Sequence, residues 1–170
     1  HDKGEEAMKK ALELDPNDAE TVEVLAKDSL GTSMEKDRAG AKLEAQTLQK
    51  SADSLIAAAL EKCPPTKQKE YGKLKRMQAF SLIVKNETDQ ATKDLGALAQ
   101  TNNDDPETFL MLGSIYSGSL AGPEKLDVEK AESAFKRALE IDPKDGRAYQ
   151  ALSQLLKYKR ENEKDAAKRK

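Results

Sequence analysis

The chain has 170 residues, 37% hydrophobic and 35% charged, with a net charge of −2. That length allows a sizeable core, and the composition excludes a disordered chain and suits amphipathic helices of a soluble protein. No apolar run approaches the ~20 residues needed to cross a bilayer, no basic stripe marks a nucleic-acid surface, and the single cysteine excludes an internal disulfide or a cysteine-based metal site.

Eight helices are predicted, at about 4–14, 18–30, 35–62, 66–85, 88–101, 106–118, 126–141 and 145–167. The first carries Gly4, Met8 and Ala11, then Pro16. Steps of four and three residues place the triplet on one helix face, and the proline stops the helix. The second shows Val22, Leu25, Ala26 and Ser29 at i, i+3, i+4 and i+7. In the third, Ala41, Ala45, Leu48, Ala52, Leu55 and Ala59 form one stripe, which predicts a long helix. Within it Ala52, Ile56, Ala59 and Pro64 repeat the spacing of the first helix. Cys63, at its end, is expected to be a small hydrophobe. The fourth helix has an apolar face of Tyr71, Leu74, Met77 and Val84, of undetermined register. Asn86-Glu87-Thr88 then fits a glycosylation sequon in a turn.

The remaining helices repeat both templates. Ala91, Leu95, Leu98 and Asn103 keep the first spacing, and Ala131, Phe135, Ala138 and Pro143 give its clearest copy. Phe109, Leu112, Gly113 and Tyr116 write the second template, which returns as Tyr149, Leu152, Ser153 and Leu156. Asp105-Pro106 and Asp127 are helix-start signals. Asp104-Asp105 and Asp142-x2-Asp145 resemble paired acids but sit before helices, where capping explains them better than acid–base catalysis.

At these residues the chain resembles the tetratricopeptide repeat family, which places an aromatic, a leucine, a small residue and a tyrosine on one helix, then alanine, phenylalanine, alanine and a closing proline on the next. The segment from Pro106 to Pro143 matches all eight positions. Gly113 to Ala131 spans about six residues more than the family spacing, a surplus assigned to the turn formers of 117–123, and Ala26 to Ala52 spans about fourteen more. The resemblance implies an all-α fold, a right-handed α-solenoid of stacked antiparallel helix pairs in one domain over 1–170. Its parts are a partial repeat 1–16, repeats 17–64, 65–103 and 104–143, and a C-terminal capping helix 144–170. Because the chain starts with His1 and with the second helix of a repeat, something upstream is expected to have been removed. Localisation stays open between the cytoplasm and export with loss of a targeting segment.

The resemblance further implies a non-catalytic protein-binding module that takes a peptide or partner helix in its concave groove, with no metal or cofactor. Groove positions carried over from the family fall on Glu107, Leu110, Ser114, Ser117, Arg147, Gln150, Gln154 and Lys157, and in the first unit on Glu20, Glu23 and Lys27. Ser114 and Gln154 stand where family members that clamp a C-terminal carboxylate have asparagine, so that clamp is not expected. His1 is terminal, and no glycine-rich phosphate loop is present. The partner is expected to be another protein, without nucleic acid or membrane insertion. The alternative is a self-assembling scaffold, or an internal piece of a longer solenoid, with contacts through the long third helix (Ala41, Ala45, Leu48) or the 117–124 insertion. Charge favours self-association too: the N-terminal stretch is acidic (Glu5, Glu6, Glu13, Asp15, Asp18, Glu20, Glu23) and the tail from Lys157 to Lys170 is basic (Lys157, Lys159, Arg160, Lys164, Lys168, Arg169, Lys170).

Overall fold

A computed structural model of the chain describes Lys10, Asp15 and residues 18–168, with side chains described as far as 162. The helix expected at 4–14 lies outside the described residues, together with His1, Glu5, Glu6, Glu13, Pro16 and the side chains of Lys164, Lys168, Arg169 and Lys170. The described residues form seven α-helices: α1 (Ala19–Arg38), α2 (Lys42–Lys62), α3 (Gln68–Val84), α4 (Thr88–Thr101), α5 (Pro106–Tyr116), α6 (Val128–Ile141) and α7 (Gly146–Lys168), with a 3-10 turn at Pro123–Lys125. No strand occurs among them, in keeping with the expected helical-repeat architecture. The chain divides into two compact units, His1–Asp94 and Leu95–Lys170.

In unit 1 the helices α1, α2 and α3 pack on one another. Asp18 starts α1 by accepting the Glu20 and Thr21 N–H groups at 3.2 and 3.3 Å, which satisfies donors that a helix start otherwise leaves open. Val22, Ala26 and Leu30 of α1 bury against Ala52, Ile56 and Ala59 of α2 and Leu74 and Met77 of α3. Cys63 joins this cluster, and its burial pushes the thiol pKa up, the reverse of what a nucleophile needs.

The expected helices 18–30 and 35–62 are corrected here. The first continues to Arg38, and the second starts only at Lys42. Gly40 makes the break: its φ is +81°, and the N–H of Ala41 closes onto Lys36 O at 2.8 Å, a helix-ending loop in which a side chain at the left-handed position is costly. The surplus residues therefore lengthen both helices of a hairpin. Ala45 is 2% exposed, so it is not offered to a partner as the expected projecting helix required.

The turn after α3 uses the same device with asparagine. Asn86 has φ +63°, and the N–H groups of Asn86 and Glu87 reach Ile83 O and Leu82 O at 2.9 and 2.8 Å. The sequon asparagine is exposed and serves as a helix terminator. Across the hairpin, Asp53 of α2 accepts from the buried Ser81 hydroxyl and from Lys85 Nζ at 3.0 Å.

In unit 2, α5 packs on α6 and α6 on α7. Phe135 of α6, 1% exposed, fills this core with Ala131 and Leu155. Its ring lies over Gly113 of α5, where an added Cβ would sit 2.5 Å from two ring carbons. Gly113→Ala is therefore expected to destabilise unit 2 by about 1–3 kcal/mol through overpacking. Chemical unfolding followed by circular dichroism checks this; an unchanged midpoint would show that the ring can move aside. In unit 1 the hydroxyl of fully buried Ser33 has no hydrogen-bond partner. Ser33→Ala is expected to raise stability by roughly 1 kcal/mol, since it removes an unsatisfied buried polar group and favours the helix. A loss of stability in the same assay counts against that.

Candidate functional site

The sequence-derived groove residues of unit 2 lie on α5 and α7, and the structure sorts them by what each touches. Glu107 and Arg147, in the first turns of their helices, form a two-pronged ion pair, one prong at 3.3 Å. Arg147 also reaches back to Asp145 at 2.9 and 3.1 Å. Asp145 in turn accepts the N–H groups of Arg147 and Ala148 at 2.8 and 3.4 Å, so it caps α7. It is 7% exposed, which lets one carboxylate end a helix and fix the guanidinium that ties α7 to α5. In unit 1, Glu23 of α1 likewise pairs with Lys73 of α3 at 3.2 Å and with Lys27 at 2.6 Å. Glu20 is exposed and gives only its N–H to Asp18. Glu107 and Glu23, two acids on the expected groove face, thus act as struts between α5 and α7 and between α1 and α3.

The serines are occupied by their own helix. The Ser114 hydroxyl donates to Leu110 O at 2.9 Å, and the Ser117 hydroxyl to Ser114 O at 3.2 Å. Leu110 is half-buried and packs against the Ala131, Phe135 and Leu155 cluster, so it is a core residue as much as a surface one. Gln150 and Gln154 are exposed on α7.

The insertion gives this face its shape. After α5 the chain loops through Gly118 and Gly122, at φ +73° and +93°, and returns where the Asp127 N–H meets Tyr116 O at 2.7 Å. A Cβ on Gly118 would lie 2.8 Å from Gly122 O, so the loop closes on itself only with glycine there. Asp127 then caps α6 through the Lys130 N–H at 3.1 Å. Between this loop and α7 lies a cavity of about 330 Å³, walled by Ser117, Ser119, Leu126, Ala151, Gln154 and Tyr158, among others. Its lining combines apolar side chains with hydroxyl and amide groups and contains no formally charged side chain.

Two expected groove residues, Ser117 and Gln154, therefore meet at one cavity. Glu107 and Arg147 meet elsewhere, in the strut. Lys157 lies on a different hollow of about 510 Å³, lined by Tyr149, Leu152, Ser153, Leu156 and Arg160. Ser119, Leu126, Ala151 and Tyr158 were not read from the sequence, because their convergence depends on how the insertion folds. Among the described residues no helix is long and apolar enough to cross a membrane, and no group of three or more His, Cys, Asp or Glu residues could hold a metal ion.

A tetratricopeptide repeat family model matches residues 127–145, which cover α6 and the turn into α7. With the all-helical fold, this match supports a tetratricopeptide repeat protein with irregular repeats. Comparison with curated proteins and with solved structures gives no match. A tetratricopeptide repeat suggests a protein–protein interaction module in general, and proteins of the family are typically non-catalytic.

The Asp145 strut makes the fold sensitive to acid. The hydrogen bond from the Arg147 guanidinium, with help from the two backbone N–H groups, holds the Asp145 carboxyl below its ordinary value of 3.8. A carboxylate with a depressed folded-state pKa contributes stability that is complete above the unfolded value and is lost as pH falls through the folded one. Unit 2 is expected to weaken below about pH 4. Asp145→Asn keeps a capping acceptor but loses the charged partner of Arg147, so it should lower stability near neutral pH by about 1 kcal/mol and flatten this acid limb. Denaturation midpoints measured from pH 7 to pH 2 test it; an equally steep limb in the variant would assign the sensitivity to other carboxylates.

Proposed function

We propose that this chain is a non-catalytic interaction module, and that unit 2 binds a peptide or partner helix along the face shared by α5 and α7. The observation that carries this reading is the cavity beside the insertion. It is uncharged, it combines apolar side chains with hydroxyl and amide groups, and it is large enough for one bulky side chain of a partner. Gln154 adds a hydrogen-bonding amide to its lining, Ser119 an exposed hydroxyl whose own proton goes to Ser114 O at 3.0 Å, and Gln150 extends the face along α7. Leu110 supports the face through its core contacts. Glu107 and Arg147 hold the two helices at a fixed separation, so the face is preformed, which lowers the ordering cost of binding.

Gln154→Lys combined with Ser119→Lys places two cations at the cavity without touching the core, since both positions are exposed. Crosslinked capture from the source cell should give a stoichiometric protein with the unaltered chain and lose it at least about tenfold with the variant, at unchanged thermal stability. Capture that survives both substitutions would show that the binding face lies elsewhere.

A second reading, self-association, is favoured by one observation: among the described residues α7 carries apolar side chains left open to solvent, with Tyr149 54% and Leu156 41% exposed.

A further inference from the structure

The partly exposed face of α7 has a counterpart in α5 that shows what belongs on it. Tyr149, Leu152, Ser153 and Leu156 stand at the spacing of Phe109, Leu112, Gly113 and Tyr116. On α5 that face is closed by α6: Gly113 and Leu112 are buried, and the Phe135 ring lies directly on Gly113. The adjoining face of α7 is satisfied, because Ala148 and Leu155 are buried and Ala151 and Leu152 pack on the Ala131 and Phe135 cluster. Of the template face only the boundary residue Leu152 has such cover; Tyr149, Ser153 and Leu156 are exposed. The hollow above Ser153 is bordered by Lys157 and Arg160. An apolar helix stripe with cations along one edge calls for an amphipathic segment that is acidic on its own edge.

The covering element on α5 is the segment written Ala131-x3-Phe135-x2-Ala138-x4-Pro143. The chain contains the spacing three more times. Two of those copies, at Ala52, Ile56 and Ala59 and at Ala91, Leu95 and Leu98, are buried. The remaining copy is Gly4, Met8, Ala11 and Pro16. Its residues fit the α7 face in two independent ways. Between positions 4 and 16 it carries Glu5, Glu6, Glu13 and Asp15 against Lys9 and Lys10, opposite in sign to Lys157 and Arg160. Its large central residue is Met8 where α6 has Phe135. On α5 the rigid ring demands glycine beneath it, since even a Cβ would be only 2.5 Å away. On α7 the corresponding residue is Ser153, and an unbranched methionine can bend around a hydroxymethyl group where a ring cannot.

We propose that the Tyr149, Leu152, Ser153 and Leu156 face of α7 is a docking surface for residues 4–16 of a second copy of this chain, so that copies join head to tail. The inference rests on the self-association reading and specifies its surface and its occupant. A contact between two different surfaces is heterologous. It propagates into open chains or closes into rings instead of stopping at a symmetric pair.

The test uses the 170-residue chain in sedimentation velocity at low salt, with Met8→Glu and Leu156→Lys as variants. Leu156 is exposed, so its substitution leaves the fold intact by circular dichroism. The unaltered chain should form species that grow with concentration and shrink as salt rises. Each variant alone should associate at least about tenfold more weakly. Mixed in equal amounts, the two should form a 1:1 pair and nothing larger, because the Met8→Glu copy still offers its α7 and the Leu156→Lys copy still offers residues 4–16. An unaltered chain that stays monomeric at every concentration overturns both the inference and the self-association reading. Association that survives in both variants overturns only the assigned surface. Loss in Leu156→Lys with full retention in Met8→Glu replaces the occupant by a second α7.

Discussion

In unit 2 the Phe135 ring lies directly on the backbone of Gly113, and much else follows from that contact. A ring in contact with bare backbone sets a distance between α5 and α6 that a residue with a Cβ at position 113 would not allow unless the ring moved. That contact fixes how α6 lies on α5, and α6 presents Ala131 and Phe135 to α7. One glycine thus determines the spacing of a pair and, through the buried ring, the seat of the next helix. Interiors are dense enough that a shift of one methyl group at such a point is felt by the neighbours.

The polar contacts act on a structure already positioned by this core. Glu107 with Arg147, and Glu23 with Lys73, join α5 to α7 and α1 to α3. Exposed ion pairs of this kind contribute little stability singly. The Arg147 strut differs because its anchor, Asp145, is withdrawn from water and is also the cap of α7. Rigidity at the helix starts leaves the opposite end, where the insertion meets α7, as the part of the face whose shape is set by loop geometry.

The sequence made the paired helices from Pro106 to Pro143 legible because apolar spacing, caps and closing proline all agree there. The bounds of α4 were read from the Ala91, Leu95 and Leu98 spacing alone, with Asn103 in the place of the closing proline. The turn at Gly40 was missed although its signal is present: Lys36 and Arg38 in a last helical turn, then glycine. The stripe from Ala41 to Ala59 continues the four-three spacing without a gap and outweighed that signal. The register of α3 was unreadable because the helix packs against both α1 and α2. Leu74, Met77 and Ser81 bury one side, Gly72, Ala79 and Ile83 another, so no single stripe stands out. At the site, the opposite charges of Glu107 and Arg147 at equivalent positions of α5 and α7 were a readable sign of an ion pair. The meeting of Leu126 and Tyr158 was not, since it depends on a loop folded by two glycines in left-handed conformations.

That loop has a consequence for how such a protein can diverge. Its ends are held together at Tyr116 and Asp127 by one backbone hydrogen bond, so α5 and α6 do not register how many residues lie between. Lengthening a surface loop costs only about 0.6 kcal/mol per doubling. The repeat can therefore keep its core unchanged while the wall of its cavity is rewritten, which separates the residues that inheritance must preserve from those that selection is free to alter.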